Sequence, residues 1–291
     1  MLIRLPATSA NLGPGFDCFG IAWQCYDEIE FFPSDTVHIE GCAGEYRNEN
    51  NLALRGWRAA FAAAGRRAEN VRIRFGRTEI PVCRGLGSSA ALSAGGAAAA
   101  DALFSLGLGR QGILDAAAAV EGHPDNAAPA IFGGLTASAV VDGRAKTVAF
   151  PVSEKLRFTA LIPDFELSTA LSRSVLPEKV SRGDAIFNVS RAALLLHAMG
   201  EGDLSLLAAA MEDRLHQPYR WGLIRGGERA AGLARDCGAA AVCISGAGPT
   251  LLCVAGEEDF PRKIREALAG ALPGWTVRAL PVERRGVAAA E

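Results

Sequence analysis

Pro81-Val-Cys-Arg-Gly-Leu-Gly-Ser-Ser-Ala-Ala91 stands between a strand-like stretch and a long Ala-rich stretch of helical composition. Gly85 and Gly87 allow the backbone to approach an anion closely. Ser88 and Ser89 follow at the expected helix start, where unpaired N–H groups and the helix dipole attract phosphate. Serine hydroxyls there add ligands for phosphate oxygen or for a metal ion. A plain Gly-rich turn with a serine cap is the simpler alternative. The proline, the doubled serine and the helix beyond favour a phosphate loop.

Two other phosphate loops compare poorly. A Walker loop requires Gly-Lys-Ser/Thr, and none of the four lysines lies in a Gly-rich loop. Gly85-x-Gly87-x-x-Ala90 fits a loose dinucleotide fingerprint, which also wants an acidic residue some 20 positions on at a strand end. Here Asp101 falls inside the helical stretch. A dinucleotide-binding enzyme remains an alternative of a different class.

Outward from this loop, alternation predicts strands at Leu2–Leu5, Asp27–Phe32, Thr36–Glu40, Val71–Phe75, Leu135–Val141 and Thr147–Phe150. A turn-rich loop is expected from Pro6 through Gly15. Helices are expected at Asn51–Ala64, ending at Gly65, and at Ser88–Ser105 and Arg110–Val120. A second block reads strand (Arg157–Ile162), helices (Asp184–Met199, Asp203–Arg214, Gly227–Cys237), strands (Ala240–Ser245, Thr250–Ala255), helix (Phe260–Ala269) and strand (Thr276–Leu280). The mixture lacks strict βαβ alternation, so the fold class is α+β. A weak boundary near Pro151–Lys155 gives domains of residues 1–153 and 154–291 with a broad shared interface.

Of the 291 residues, 49% are apolar and 21% charged, enough for a substantial core. The net charge of −2 gives no reason to expect nucleic acid or an anionic membrane as partner. The N-terminus has no apolar h-region, so no signal peptide is expected. Ser88–Gly109 carries a single charge, but its Ala, Gly and Ser content suits a tightly packed soluble helix rather than a membrane span. Seven cysteines without a Cys-x-x-Cys pair are read as reduced and structural, in keeping with a cytoplasmic protein.

Two further loops share the small-residue character: Pro6-Ala-Thr-Ser-Ala-Asn-Leu-Gly-Pro-Gly-Phe-Asp17 and Ser245-Gly-Ala-Gly-Pro-Thr250. Together with residues 81–91 they resemble the three motifs of the galactokinase, homoserine kinase, mevalonate kinase and phosphomevalonate kinase (GHMP) superfamily. Pro6–Asp17 with the following Cys-Phe-Gly is similar to the homoserine kinase branch. So are Glu121-Gly-His-Pro-Asp-Asn126, Glu166-Leu-Ser-Thr-Ala-Leu-Ser-Arg173 and His216-Gln-Pro-Tyr-Arg220. The similarity runs through nearly the whole chain.

This resemblance implies a two-domain GHMP fold: an N-terminal ATP-binding domain with a left-handed βαβ crossover, a ferredoxin-like C-terminal domain, and an active site between them. It implies phosphorylation of L-homoserine by ATP with Mg²⁺, and it leaves a homodimer open. By resemblance, Pro81, Arg84, Gly85, Leu86, Gly87, Ser88, Ser89, Ala90 and Ala91 bind nucleotide, with Asn51 on the adenine side. Ser88 and Glu121 match the metal ligands, although only Gly122, His123 and Pro124 separate Glu121 from Asp125-Asn126, where some relatives carry a longer insertion. Arg173 and Arg220 match carboxylate ligands, Asp17 the ammonium partner, and Asn11 and Thr169 further substrate contacts. Asp125 and Asn126 lie near the accepting hydroxyl, one as base and one as orienter, although in this branch an obligatory base is not assured. His123 is read as a loop histidine rather than a metal ligand. Another small alcohol as substrate, or a non-catalytic ligand sensor, are the remaining alternatives.

Overall fold

Val71, Ile73 and Phe75 point inward along β4 (Val71–Thr78), while Arg72 and Arg74 face solvent. This period of two is what a half-buried strand requires. The outward arginines meet acidic residues on the neighbouring strands: Arg72 bonds Glu40 and Arg74 bonds Glu30. The computed structural model describes residues 1–289.

The first sheet is built on β1 (Leu2–Asn11) and the 19-residue β2 (Gly15–Pro33), paired antiparallel. Its strand order is β11-β1-β2-β4-β3, with β3 at His38–Glu40 and β11 at Ala288–Ala289. β3 and β4 are parallel neighbours joined through α1 (Leu52–Ala63), a crossover unit. The hairpin β5 (Leu135–Val141) and β6 (Arg144–Phe150) attaches to the early part of β2.

Where a loop from Pro6 to Gly15 was expected, the chain remains a strand to Asn11 and turns only at Leu12–Pro14. Small Ala7, Thr8, Ser9 and Ala10 are buried against Trp23–Gly20 of β2, and this tertiary pairing overrides their weak strand propensity. Asn11 and Leu12 take positive φ values of 71° and 50° to make the turn.

Helix α1 starts on Asn51, whose side-chain oxygen accepts from the amides of Ala53 and Leu54. It packs on α2 (Ser88–Phe104), and both helices are small-residue rich for a steric reason. A β-carbon on Gly56 would overlap the Ser93 carbonyl, and one on Gly96 the Ala53 carbonyl. The two backbones therefore touch, which explains the Ala/Gly run without a membrane. Among the described residues no helix is long and apolar enough to cross one. α3 (Gly109–Glu121) and the short α4 (Ala127–Phe132) complete this layer.

The second sheet is antiparallel with order β10-β7-β9-β8, from β7 (Arg157–Pro163), β8 (Ala241–Ile244), β9 (Leu251–Ala255) and β10 (Trp275–Ala279). In chain order this is 4-1-3-2, with helices between first and second strands and between third and fourth, the ferredoxin-like arrangement. The helices are α5 (Thr169–Ser174), α6 (Arg182–Glu201), α7 (Leu204–Ala210), α8 (Gln217–Arg220), α9 (Gly227–Asp236) and α10 (Phe260–Ala271). Cys243 and Cys253 are fully buried in β8 and β9 as small apolar residues. Sequence periodicity missed α4, α5 and α8, none longer than six residues.

One apolar core runs under both sheets, joining Ile3, Trp23 and Trp57 to Phe158, Leu195 and Val254. The residues after β10 leave the second sheet and return to the first. Gly134 N donates to Glu283 O at 2.6 Å, and Val287 N to Ala130 O at 2.7 Å.

Candidate active site

The three small-residue loops meet backbone to backbone. Thr8 N donates to Leu86 O (3.0 Å), Gly246 N to Ala10 O (3.1 Å) and Thr250 N to Arg84 O (3.3 Å). The Ser245 hydroxyl lies 2.7 Å from Ser9 Oγ and 2.6 Å from Gly85 O. Gly87, at φ 71°, has no room for a side chain, because a β-carbon would overlap Thr8 Oγ1; at Gly85 it would overlap Ser245 O. These junctions form the floor of a cleft of about 1220 Å³.

Gly87 caps α2 in a left-handed conformation without a side-chain cap bond. The first amides of this helix therefore have no intrahelical acceptor and face an uncapped end. Pro81, Arg84, Gly85, Leu86, Gly87, Ser88, Ser89 and Ala90 all line the cleft. Ala91 does not; it is fully buried beneath the loop. Arg84 spends its guanidinium on the carbonyls of Pro163 (3.1 Å), Asp164 (2.9 Å) and Val82 (3.2 Å), bracing the loop against the end of β7. Asn51 lines the cleft but is locked as the cap of α1, its amide also donating to Tyr46 O at 2.8 Å.

Glu121, the last residue of α3, faces the start of α2. The Ser89 hydroxyl lies 2.8 Å from both carboxylate oxygens, and Ser93 Oγ donates to Oε1 at 2.9 Å. Ser88, paired with Glu121 in the sequence expectation, is not among these partners but lines the same cleft, one position before Ser89.

Asp125 is buried, and its Oδ1 accepts from the Asn126 amide at 2.8 Å and lies 2.6 Å from His123 Nδ1. That contact raises the His123 pKa above its ordinary value, against the opposing effect of burial. Asn126 is itself held by Thr8, whose hydroxyl donates to Asn126 Oδ1 at 2.8 Å.

At the other end, Arg173 on α5 forms a two-pronged bond with Asp17, at 3.0 and 2.7 Å. Asn11 ties the first loop to the third, donating to Gly246 O at 2.7 Å and accepting from Asp17 N at 3.0 Å. Thr169, at the start of α5, is exposed along the rim. Arg220 is 1% exposed yet lines the cleft, and among the described residues no carboxylate lies within ion-pair distance of it. It donates to Ser172 O (3.2 Å), Gly246 O (3.2 Å) and His216 Nδ1 (3.1 Å). Burial, reinforced by nearby Arg173, pulls its pKa down to about 10. Phe16 lies under both arginines, 5.6 Å from Arg173 and 5.2 Å from Arg220.

The cleft thus gathers all the expected site residues except Ala91. Behind its lining stand Thr8, Phe16, Ser93 and His216, which the sequence reading left without roles, and His123 gains a partner in Asp125. The signal for His216 was already present in the His-x-x-x-Arg spacing, one helical turn that puts both residues on the same face.

Comparison with known proteins agrees with this architecture. The family description "GHMP kinases N terminal domain" matches residues 51–134, and "GHMP kinases C terminal" matches residues 195–274. The chain is 43% identical to a homoserine kinase of Clostridium botulinum (strain Okra / Type B1), over 98% of this chain and 96% of that protein. The crystal structure of homoserine kinase from Cytophaga hutchinsonii superposes with a TM-score of 0.89 at 27% identity, covering 99% of this chain and 96% of that one. A mevalonate kinase of L. major shares the fold at a TM-score of 0.73 and 15% identity, covering 97% of this chain and 96% of that one. Three laced glycine loops, a ferredoxin-like second sheet and full-length similarity lead to one assignment: the chain belongs to the homoserine kinase family of the GHMP kinases.

Proposed function

We infer that this chain transfers the γ-phosphoryl group of ATP to the side-chain hydroxyl of L-homoserine, giving O-phospho-L-homoserine. The observation that carries the reading is Arg220, a buried cation facing the cleft without a carboxylate partner among the described residues. Burying a charge is costly unless it is paired, so the site awaits an anion. Beside it, Asp17 and Arg173 set opposite charges a hydrogen bond apart. An α-amino acid carries the same two charges on one carbon. Its ammonium meets Asp17, and its carboxylate bridges Arg173 and Arg220, for which a guanidinium fork is suited. Mevalonate offers the carboxylate without the ammonium, and galactose offers neither.

Phosphoryl transfer depends on in-line placement and on stabilising charge spread over the phosphoryl oxygens. The open amides at the start of α2, with Gly85 and Gly87 admitting close approach, supply donors for those oxygens. Asp125 and Asn126, fixed by His123 and Thr8, orient the accepting hydroxyl. Mg²⁺ belongs to the proposal as well. A hard cation takes oxygen ligands, usually one or two carboxylates with substrate phosphates. Glu121 with its serine hydroxyls at the phosphate loop fits that chemistry, and Ser88 and Glu121 would hold the ion. When bound, it offsets phosphate charge. The division into residues 1–153 and 154–291 is part of the same proposal, with the cleft between them.

A coupled ADP-release assay with ATP, Mg²⁺ and a panel of L-homoserine, mevalonate and galactose tests the reading. Turnover of homoserine well above the other two is expected; equal rates would defeat the substrate assignment.

A further inference from the structure

His216 is fully buried, touches no solvent and has no part in the phosphoryl-transfer account above. Its ring nitrogens have different partners. Nε2 lies 2.8 Å from the Gly13 carbonyl, and Nδ1 lies 3.1 Å from Arg220 Nη1. A carbonyl oxygen only accepts and a guanidinium only donates, so both contacts demand the same state of the ring: hydrogen on Nε2, lone pair on Nδ1. The ring also stacks on Phe16 at 5.2 Å and 24°, and Phe16 lies beneath the guanidiniums of Arg173 and Arg220.

We propose that His216 is a positioning residue for substrate recognition: as a neutral ring with its hydrogen on Nε2, it orients Arg220 through Nδ1 and anchors that arm to the first loop through Gly13. The proposal rests on the reading of Arg220 as a ligand of the substrate carboxylate. Arg220 lies at the end of the four-residue α8, too short to fix a long side chain by itself. Its other contacts, the carbonyls of Ser172 and Gly246, belong to different elements, so His216 is the partner that shares its helical face. The histidine is also placed from below. Asp213 accepts from the backbone amides of His216 (2.9 Å) and Gln217 (2.6 Å), capping α8, while Asn188 donates to Asp213 at 2.7 Å. Burial, only partly opposed by Asp213, depresses the His216 pKa to about 4, which favours the neutral ring near pH 7.

Two substitutions separate the ring's two bonds. His216→Gln can still donate to Gly13 but has no acceptor at the Nδ1 position; His216→Asn places an amide oxygen near Nδ1. Both are compared with the parent on L-homoserine and on 3-aminopropan-1-ol, which lacks only the carboxylate. Loss of a hydrogen bond to a charged group corresponds to about 10- to 100-fold. The expected result is that His216→Gln raises the homoserine KM by about that factor, with the ATP KM and the amino-alcohol kinetics unchanged, and that His216→Asn recovers most of the loss. A parent without preference for homoserine over the amino alcohol overturns the carboxylate reading and this proposal with it. A parent with that preference, together with equal homoserine losses in both variants, overturns the proposal alone. Imidazole ¹⁵N shifts of the unsubstituted protein give an independent arm. An Nε2–H tautomer supports the assignment, while an Nδ1–H tautomer excludes it, because that nitrogen then cannot accept from Arg220.

Discussion

Asp17 and Arg173, 156 residues apart in the chain, face each other through two hydrogen bonds, and both also line the cleft. Side chains of the pair are about a third exposed, so the bond is wet and exchangeable. Under the proposed function, substrate binding would replace one pairing by two: ammonium on Asp17, carboxylate on Arg173. On that proposal the pair would serve as a template for a zwitterion rather than as a strut for the fold.

Removing the arginines should therefore have unequal effects. Arg220→Ala takes away a buried charged donor, a loss of roughly 2–5 kcal/mol, or about 30-fold to several-thousand-fold in homoserine kcat/KM. Arg173→Ala, at a more exposed position, should cost less. The ATP KM should be nearly unchanged in both, and homoserine methyl ester should be a poor substrate of the parent. Steady-state kinetics on both variants check this, and equal use of ester and free acid would remove the carboxylate clamp.

Glu121→Gln keeps the shape of the side chain but leaves one oxygen to accept where two now face Ser89. Turnover should fall more than nucleotide affinity, and the Mg²⁺ concentration for half-maximal rate should rise. A titration of rate against Mg²⁺ at saturating substrates measures both. An unaltered titration would mean that the metal ligand is not Glu121 and lies elsewhere.

Asp125→Asn asks whether a base is needed. A loose transition state does not require early loss of the hydroxyl proton. General-base loss usually costs about 10²–10⁴-fold, and the expected reduction in turnover is below about 10²-fold. Asn126→Ala should do comparable harm. A loss above about 10³-fold with homoserine still bound would instead make Asp125 the proton acceptor.

The same substitution has a pH signature in stability. His123 has its pKa raised by Asp125, so the protonated ring favours the folded state. That contribution is fully present below the unfolded histidine value of about 6.5 and is lost as pH rises through the higher folded value. The stability gap between parent and Asp125→Asn should therefore be wider at pH 5.5 than at pH 8.5. Urea unfolding at the two pH values measures it, and a gap that widens with pH would contradict the linkage.

Some of this was written plainly in the chain. Asn51 and Gly65 bracket α1, and the Arg72/Arg74 alternation marks β4, because caps and periodicity are local. The first loop was misread as irregular because Ala7–Ala10 become a strand only when β2 covers them. Asp125-Asn126, Arg173 and Arg220 lie at or on helices of six residues or fewer, too short to show a period. Motif resemblance alone pointed to them. The contacts of Asp17 with Arg173, and of Gly13 with His216, span more than 150 residues and leave no trace in spacing.

The return of residues 281–289 to the first sheet has a consequence for the order of synthesis. Glu283, Val287 and Ala288 supply partners to Gly134, Ala130 and Arg4, all made far earlier. The edge of β1 at Ile3 and Arg4 stays open until residues 288 and 289 have been made. Contacts of such long sequence separation form slowly, and an open strand edge invites wrong pairing meanwhile. The sheet that is begun first is therefore closed last, by residues 281–289.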